Sequence, residues 1–265
     1  MIVDDKFPED RIYEPAVVKR YQDALSVLEA GDTLSAIRLF NELAAEGVAP
    51  AYTCLGSIYL NGQGVDKSAR KAMEYYWQGV KLGDTGSIVC AAALFASGAP
   101  GEVKHDFALH LYQEAARRGV PFALRRLGFY YADGKQVELN LKLAAELLEA
   151  SAEQGDEYAA YNLATMYERG NSAVKRDLGK AIRWYELAAL KGIPEAQHNL
   201  AACYAHPESP VRDLQVAALW FHKAAEHGLA LSMESLAHIY EFGEGVQQNL
   251  ELSEYWRGRA GIGHA

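Results

Sequence analysis

The sequence is short of cysteine, of basic charge and of long apolar runs. Three cysteines among 265 residues cannot all pair, so a disulfide framework is excluded and a reducing, cytoplasmic compartment is expected. Lys and Arg number 26 against 35 Asp and Glu, a net charge of -9. That balance argues against nucleic acid, which is bound through clustered cations, and against an anionic membrane surface. The longest apolar run, Ile88 to Ala96, falls far short of the roughly 20 residues that span a bilayer. Residues 1–20 hold Asp4, Asp5, Lys6, Glu9, Asp10 and Arg11 and no apolar stretch, so they do not read as a secretory signal. Half of the residues are apolar, which excludes the composition of a disordered chain.

What the sequence does have is a period. Gly47, Gly83, Gly119, Gly155, Gly192 and Gly228 follow one another at 36, 36, 36, 37 and 36 residues. Eight residues after each comes Leu55, Ala91, Leu127, Leu163, Leu200 or Leu236, then a small residue: Gly56, Ala92, Gly128, Ala164, Ala201 or Ala237. An aromatic follows, Tyr59, Phe95, Tyr131, Tyr167, Tyr204 or Tyr240, and then Gly62, Gly98, Gly134, Gly170, Pro207 or Gly243. Small residue, leucine and aromatic stand at i, i+4 and i+8, as in Ala159, Leu163 and Tyr167, which is one face of a helix. The small residue after the leucine permits close approach of a neighbouring helix, and the aromatic column is expected in the core. The glycine ends the helix as a left-handed C-terminal residue, and Pro207 ends it by another means.

A second helix follows in each copy, with Ser68, Asn140, Asp177, Asp213 and Asn249 as N-caps. Copy two has Lys104 at that place and is expected to use Asp106. An alanine and an aromatic mark the middle of this helix, as in Ala72 and Tyr76 or Ala181, Trp184 and Tyr185. Trp77, Trp184, Trp220 and Trp256 lie near the same packing column and are expected in the core, with Cys54 and Cys90 as small buried thiols. The expected organisation is a loose acidic tail over 1–14, a capping helix pair over 15–46, and six repeats at 47–82, 83–118, 119–154, 155–191, 192–227 and 228–265. No polar helix follows the sixth copy, so its end is expected to expose apolar surface or to pair with another chain.

These columns resemble the Sel-one-like repeat family, a branch of the tetratricopeptide-like helical repeats. Ala51, Leu55-Gly56, Tyr59, Gly62 and Gly64-Val65 match the first half of its pattern, and Lys180-Ala181, Trp184-Tyr185 and Ala188-Ala189 match the second. Copy two departs at Ala91 and in the loop Ala99-Pro100-Gly101, and copy five in His206-Pro207-Glu208-Ser209-Pro210. The resemblance implies an all-α fold, an α/α solenoid wound as a right-handed superhelix, which binds proteins without catalysis, metal or cofactor. The role it implies is an adaptor or scaffold holding a protein or peptide on its concave face. The alternative is an immunity protein that occludes the active site of a toxin.

By analogy with tetratricopeptide arrays, the first helices line the concave side. Side chains two before, two after and five after the leucine column should face the groove, and they vary where the core columns do not. Arg125, Phe129 and Tyr161 are the candidate anchors, because arginine and aromatics dominate binding hot spots. Tyr158 adds to the rim, and His198 and His238 are polar groove positions. Glu168, Glu234 and Glu241 would favour a partner with basic residues. The competing reading is that the aromatics fill gaps between copies. His198, Glu234 and His238 could in principle converge on a metal ion, but a polar groove wall is the preferred reading. Gly62-Gln63-Gly64 and Gly243-Glu244-Gly245 lack the strand and the Gly-Lys-Ser/Thr of a nucleotide loop and read as repeat turns.

Overall fold

Cap chemistry fixes where most helices start. The computed structural model describes residues 13–99, 101 and 104–261, and among these it has fourteen helices and no strand. They are α1 (Pro15–Glu29), α2 (Thr33–Ala45), α3 (Pro50–Asn61), α4 (Ala69–Lys81), α5 (Thr85–Ser97), α6 (His105–Arg117) and α7 (Pro121–Asp133). There follow α8 (Leu141–Ala152), α9 (Glu157–Arg169), α10 (Leu178–Leu190), α11 (Pro194–Ala205), α12 (Leu214–Glu226), α13 (Ala230–Phe242) and α14 (Leu250–Ala260). None is long and apolar enough to cross a membrane. The tail expected over residues 1–14 lies outside the described residues up to position 12; Tyr13 packs on the core of the first helices, and its hydroxyl accepts from the Ala49 N–H at 3.3 Å.

Ser68, Asn140, Asp177, Asp213 and Asn249 cap α4, α8, α10, α12 and α14, each accepting from a first-turn N–H at 2.9 to 3.2 Å. Asp106 does not cap α6: Lys104 holds the cap position without a side-chain bond, and Asp106 lies inside the first turn. Three further caps are Asp32, Asp84 and Asp156, each directly after a glycine. Pro50 and Pro194 stand in the first turns of α3 and α11, where no donor is lost. Gly62, Gly98 and Gly243 close their helices in the left-handed region, whereas Gly170 has φ 70° and ψ 162°.

One hydrogen bond closes the hairpin of each of the six repeats. The backbone N–H of Ser68, Lys104, Asn140, Asp177, Asp213 and Asn249 donates to the carbonyl of Tyr59, Phe95, Tyr131, Tyr167, Tyr204 and Tyr240, at 2.8 to 3.0 Å. The loops that depart from the repeat pattern, in copies two and five, therefore end in the same geometry. The extra residue behind the 37-residue spacing falls in the loop after Gly170, where the Asn171 side chain accepts from Ala173 and Val174 N–H.

The architecture is an α/α solenoid of two compact units, 1–127 and 128–265; α1 to α6 in the first and α8 to α14 in the second each pack on the next helix. In the first unit the core gathers Tyr21, Phe40, Leu43, Leu55 and Ile58; in the second, Leu148, Leu163, Tyr185 and Leu200 form one cluster and Phe221, Leu236 and Trp256 another. The whole leucine column is buried, and so is the column four residues before it: Ala51, Ser87, Ala123, Ala159, Ala196 and Ser232 are all at 0 % exposure.

The aromatic expectation needs correction. Tyr59, Phe95, Tyr131, Tyr167, Tyr204 and Tyr240 are only half-buried. Tyr21 of α1 apart, the rings wholly inside belong to the second helices: Phe40, Tyr76, Tyr112 and Tyr185 at 1 % exposure or less, then Phe221. The first-helix aromatic sits in the last turn, and in two copies the lysine that opens the next helix covers its outer face. Lys71 Nζ lies 4.7 Å from the Tyr59 ring centroid and Lys180 Nζ 5.0 Å from that of Tyr167. Trp184 and Trp256 are core as expected, Trp220 is half-buried, and Trp77 is exposed, because its column is otherwise polar: Gln113, Glu149, Glu186 and His222. Cys54 and Cys203 are buried thiols, and Cys90 is half-buried.

The small residue after the leucine does what its size allows. A Cβ placed on Gly56 would lie 2.3 Å from the Tyr76 ring, and one on Gly128 3.0 Å from Leu148 Cγ. Alanine in place of a helical glycine should gain up to about 1 kcal/mol of helix propensity, but overpacking a filled core costs about 1–3 kcal/mol. Gly56→Ala is therefore expected to lower the urea midpoint of unfolding. Gly258→Ala in α14, whose added Cβ meets nothing within 4 Å, is expected to raise it slightly. A Gly56→Ala protein as stable as the wild type would show that Tyr76 is not held against the helix.

Candidate partner-binding face

On α9, Leu163 points into the core, and Tyr158, Tyr161, Thr165 and Glu168 recur at three- and four-residue spacing on the opposite side. The matching rows are Glu195, His198, Ala202 and Ala205 on α11, and Leu231, Glu234, His238 and Glu241 on α13. Tyr158, Glu195, Leu231, Glu234 and His238 are exposed and the rest half-buried. The rows predicted from spacing thus share one side of each helix in the second unit. Phe129, also in this unit, leans on the cluster that contains Leu148, as does Tyr161. Arg125 belongs to the first unit, with its guanidinium 5.0 Å from the Phe122 ring centroid.

Much of this face is held from behind. Tyr185 passes between α9 and α11, and its hydroxyl donates to Glu168 Oε2 at 2.7 Å while accepting from Asn199 Nδ2 at 3.1 Å. Thr165 Oγ1 lies 3.1 Å from the same hydroxyl, and the Tyr161 ring packs 6.0 Å from that of Tyr185. Burial, reinforced by Glu168, pushes the Tyr185 phenol well above its ordinary range, so it remains a donor. Tyr76 repeats the arrangement in the first unit, where its hydroxyl lies 3.1 Å from Ser57 Oγ and interacts with Cys90. Ser57 and Thr165 occupy one column, and Cys90 and Asn199 another.

Other predicted positions have partners in the next copy. His198 Nδ1 lies 2.8 Å from Ser232 Oγ, and Thr53 Oγ1 2.7 Å from Ser87 Oγ. Thr53 is buried and also donates to Asp84 at 2.6 Å, so it is not part of an open face. Glu241 is ion-paired with Arg257. His238 Nδ1 stands 3.8 Å from Glu244 Oε2, and its ring packs on Phe242. His198 and His238 are thus engaged separately, and among the described residues no group of three His, Cys, Asp or Glu is placed to hold a metal ion.

The serines at 87 and 232 stand where Ala123, Ala159 and Ala196 stand in the other copies. They occur where the copy before supplies a hydrogen-bonding Thr53 or His198. Part of the variation among copies therefore matches neighbours to one another. Sequence reasoning missed Tyr185, Asn199, Ser232 and Arg257 as parts of the face. The signal available was the pairing of unusual polar residues in adjacent copies.

The unit carries a pH-dependent seam. Burial pushes the His198 and His222 imidazoles below their ordinary range, opposed only in part by Glu168 and Glu226. His222 Nε2 lies 2.8 Å from the Tyr240 hydroxyl, and its ring packs edge-on against Trp256 at 5.4 Å. A histidine kept neutral by folding contributes stability that is complete above its unfolded pKa of about 6.5 and is lost as pH falls toward the folded value. The urea midpoint read by tryptophan fluorescence should fall between pH 7.5 and 5.5, and a His198→Gln, His222→Gln variant should fall less. Equal falls would assign the effect to other groups.

Comparison with known proteins places this geometry. The Sel1 repeat model matches residues 49–84, 92–120, 121–156, 157–193, 194–229 and 230–260. The chain is similar to the Sel1 repeat protein from Oxalobacter formigenes, with a TM-score of 0.80 and 25% identity over 91% of this chain and 98% of that one. It is also similar to c5321, a protective antigen of uropathogenic Escherichia coli with an SLR fold, with a TM-score of 0.83 and 23% identity over 95% of this chain and 56% of that one. DAP3-binding cell death enhancer 1 of Mus musculus is 27% identical over 179 residues, 67% of this chain and 34% of that protein. The chain spans about a third of the length of the first curated relatives it matches. Six matched copies covering most of the sequence, on the expected helix pairs, show that the chain belongs to the Sel1 repeat family.

Proposed function

We propose that the chain is a non-catalytic adaptor that works in the cytoplasm and holds a partner protein or peptide against its first helices. The observation that carries this reading is the near absence of cations from the first helices of the second unit, whose second helices are balanced. Helices α9, α11 and α13 carry Glu157, Glu168, Glu195, Glu234 and Glu241 against a single cation, Arg169. Helices α8, α10, α12 and α14 hold Lys142, Lys180, Arg183, Lys223, Arg257 and Arg259 against Glu146, Glu149, Glu186, Glu226, Glu251 and Glu254. A fold needs no such sorting, since both layers expose one side to water. An acidic face with exposed Tyr158 and Leu231 suits a partner that presents basic and apolar side chains.

The contacts we propose on the second unit are Phe129, Tyr158, Tyr161, Glu168, His198, Glu234, His238 and Glu241. Glu168 and His198 are presented in fixed positions by Tyr185 and Ser232. Arg125, on the first unit, is proposed as a contact on its own account; α3 and α5 of that unit carry no charge. The name of the mouse relative gives protein binding to that protein, and the same kind of work is proposed for this chain.

Affinity capture from cells of the source organism tests the reading. A Tyr158→Ala, Tyr161→Ala, Glu234→Ala variant that keeps wild-type helicity should recover the principal partner at least about tenfold less well, as loss of hot-spot contacts would cause. Undiminished recovery would remove the face from the account, and capture of a secreted toxin would replace the adaptor by an immunity protein.

A further inference from the structure

A cavity of about 280 Å3 opens between the end of α11, the start of α12 and α13. Ala205, Leu214, Phe221 and Ile239 line its interior, and His238 and Glu244 stand at its edge. It lies on the first-helix face, since Ala205 and His238 belong to the rows described above. Its origin is visible in the columns. Ala205 stands where the preceding copy has Glu168, and Phe221 where that copy has Tyr185. There the carboxylate reaches the phenol and closes the seam. In the following copy the same two columns hold Glu241 and Arg257, which close it as an ion pair. Between them, a methyl group faces a ring without a hydroxyl, and the seam is left open.

We infer that this opening is a receptor pocket for one aliphatic or aromatic side chain of the partner, with a lysine or arginine close to it in the partner sequence. The cavity is smaller than the roughly 300–1,000 Å3 of pockets that enclose a drug-sized molecule, so it suits one side chain better than a cofactor. Its interior is apolar, which favours an apolar occupant. Its surroundings supply the charge preference: Glu234 is exposed on α13, Glu244 stands at the edge, and neither α11 nor α13 carries a lysine or arginine. An apolar anchor beside a cation matches both, whereas an acidic partner would meet like charge. The inference rests on the adaptor reading only in taking the occupant to be a protein segment.

The test is selection of a random peptide library on the full chain, followed by fluorescence anisotropy with a synthetic selected peptide. The expected consensus is a large apolar residue with lysine or arginine within a few positions. Ala205→Leu, which fills the pocket, should weaken binding about tenfold or more. Ser235→Leu, at the mouth, gives the same answer should Ala205→Leu lower helicity. Glu234→Gln with Glu244→Gln should weaken binding several-fold and flatten its salt dependence. Glu146→Gln with Glu254→Gln, an equal change of charge on second helices, should leave it unchanged. Peptides without a cation, binding indifferent to both filling variants, or failure to select any peptide would overturn the pocket. So would self-association of the chain abolished by Ala205→Leu, which would make a second copy the occupant. A partner lost with the Tyr158, Tyr161, Glu234 variant but kept by Ala205→Leu would sink the pocket and leave the adaptor reading standing.

Discussion

The structure depends on laying one large side chain of each second helix against a first helix made smooth to receive it. Gly56 receives Tyr76 and Gly128 receives Leu148, with no room for a methyl group at the first. Close approach buries the ring and so supplies apolar burial where much of the core is alanine. It also brings the far end of the ring through to the other side. A tyrosine there arrives with a hydroxyl that must find partners, which accounts for Ser57 and Cys90 around Tyr76, and for Thr165, Glu168 and Asn199 around Tyr185. The chemistry of the exposed face is thus partly dictated by what is buried behind it.

That dependence explains what was legible in the sequence. The helix pairs, their caps and the buried leucine column follow from local rules, and six copies make each rule visible six times. The caps at Asp32, Asp84 and Asp156 were legible too, as an aspartate directly after the glycine that ends a helix. The depth of an aromatic was not. Tyr59 and Tyr76 both sit at helical spacing on an apolar stripe, but only the second lies between two first helices, and that is a property of three helices together. Trp77 misleads for the same reason, since its column is polar and only half-buried in copies two to five. The rows of the candidate face share one side of α9, α11 and α13 because they follow from the helical period opposite the leucine, whereas Thr53 in the first row is buried. Their partners were not, because Ser232 or Asn199 can be assigned to His198 or Tyr185 only once the register between copies is known.

Variation among copies therefore has two sources, and the structure separates them for particular residues. Thr53 with Ser87 and His198 with Ser232 are matched between neighbouring copies, because each pair must satisfy buried or half-buried polar atoms. Such matched pairs favour one order of copies over another, a useful property in an array of nearly interchangeable modules.

What remains after the matched pairs are removed is more informative about binding than the variation as a whole. Glu195, Leu231 and Glu234 are exposed on the first-helix face and appear in none of the pairs above. Packing does not select a leucine in water at position 231, and helix stability does not require lysine and arginine to stay off the first helices. A surface that keeps apolar and acidic groups together at no benefit to its own cohesion is shaped by something it meets. The opening over Phe221 fits the same logic: a seam closed in the copies on either side is left unclosed in one, beside two helices, α11 and α13, that carry carboxylates and no lysine or arginine.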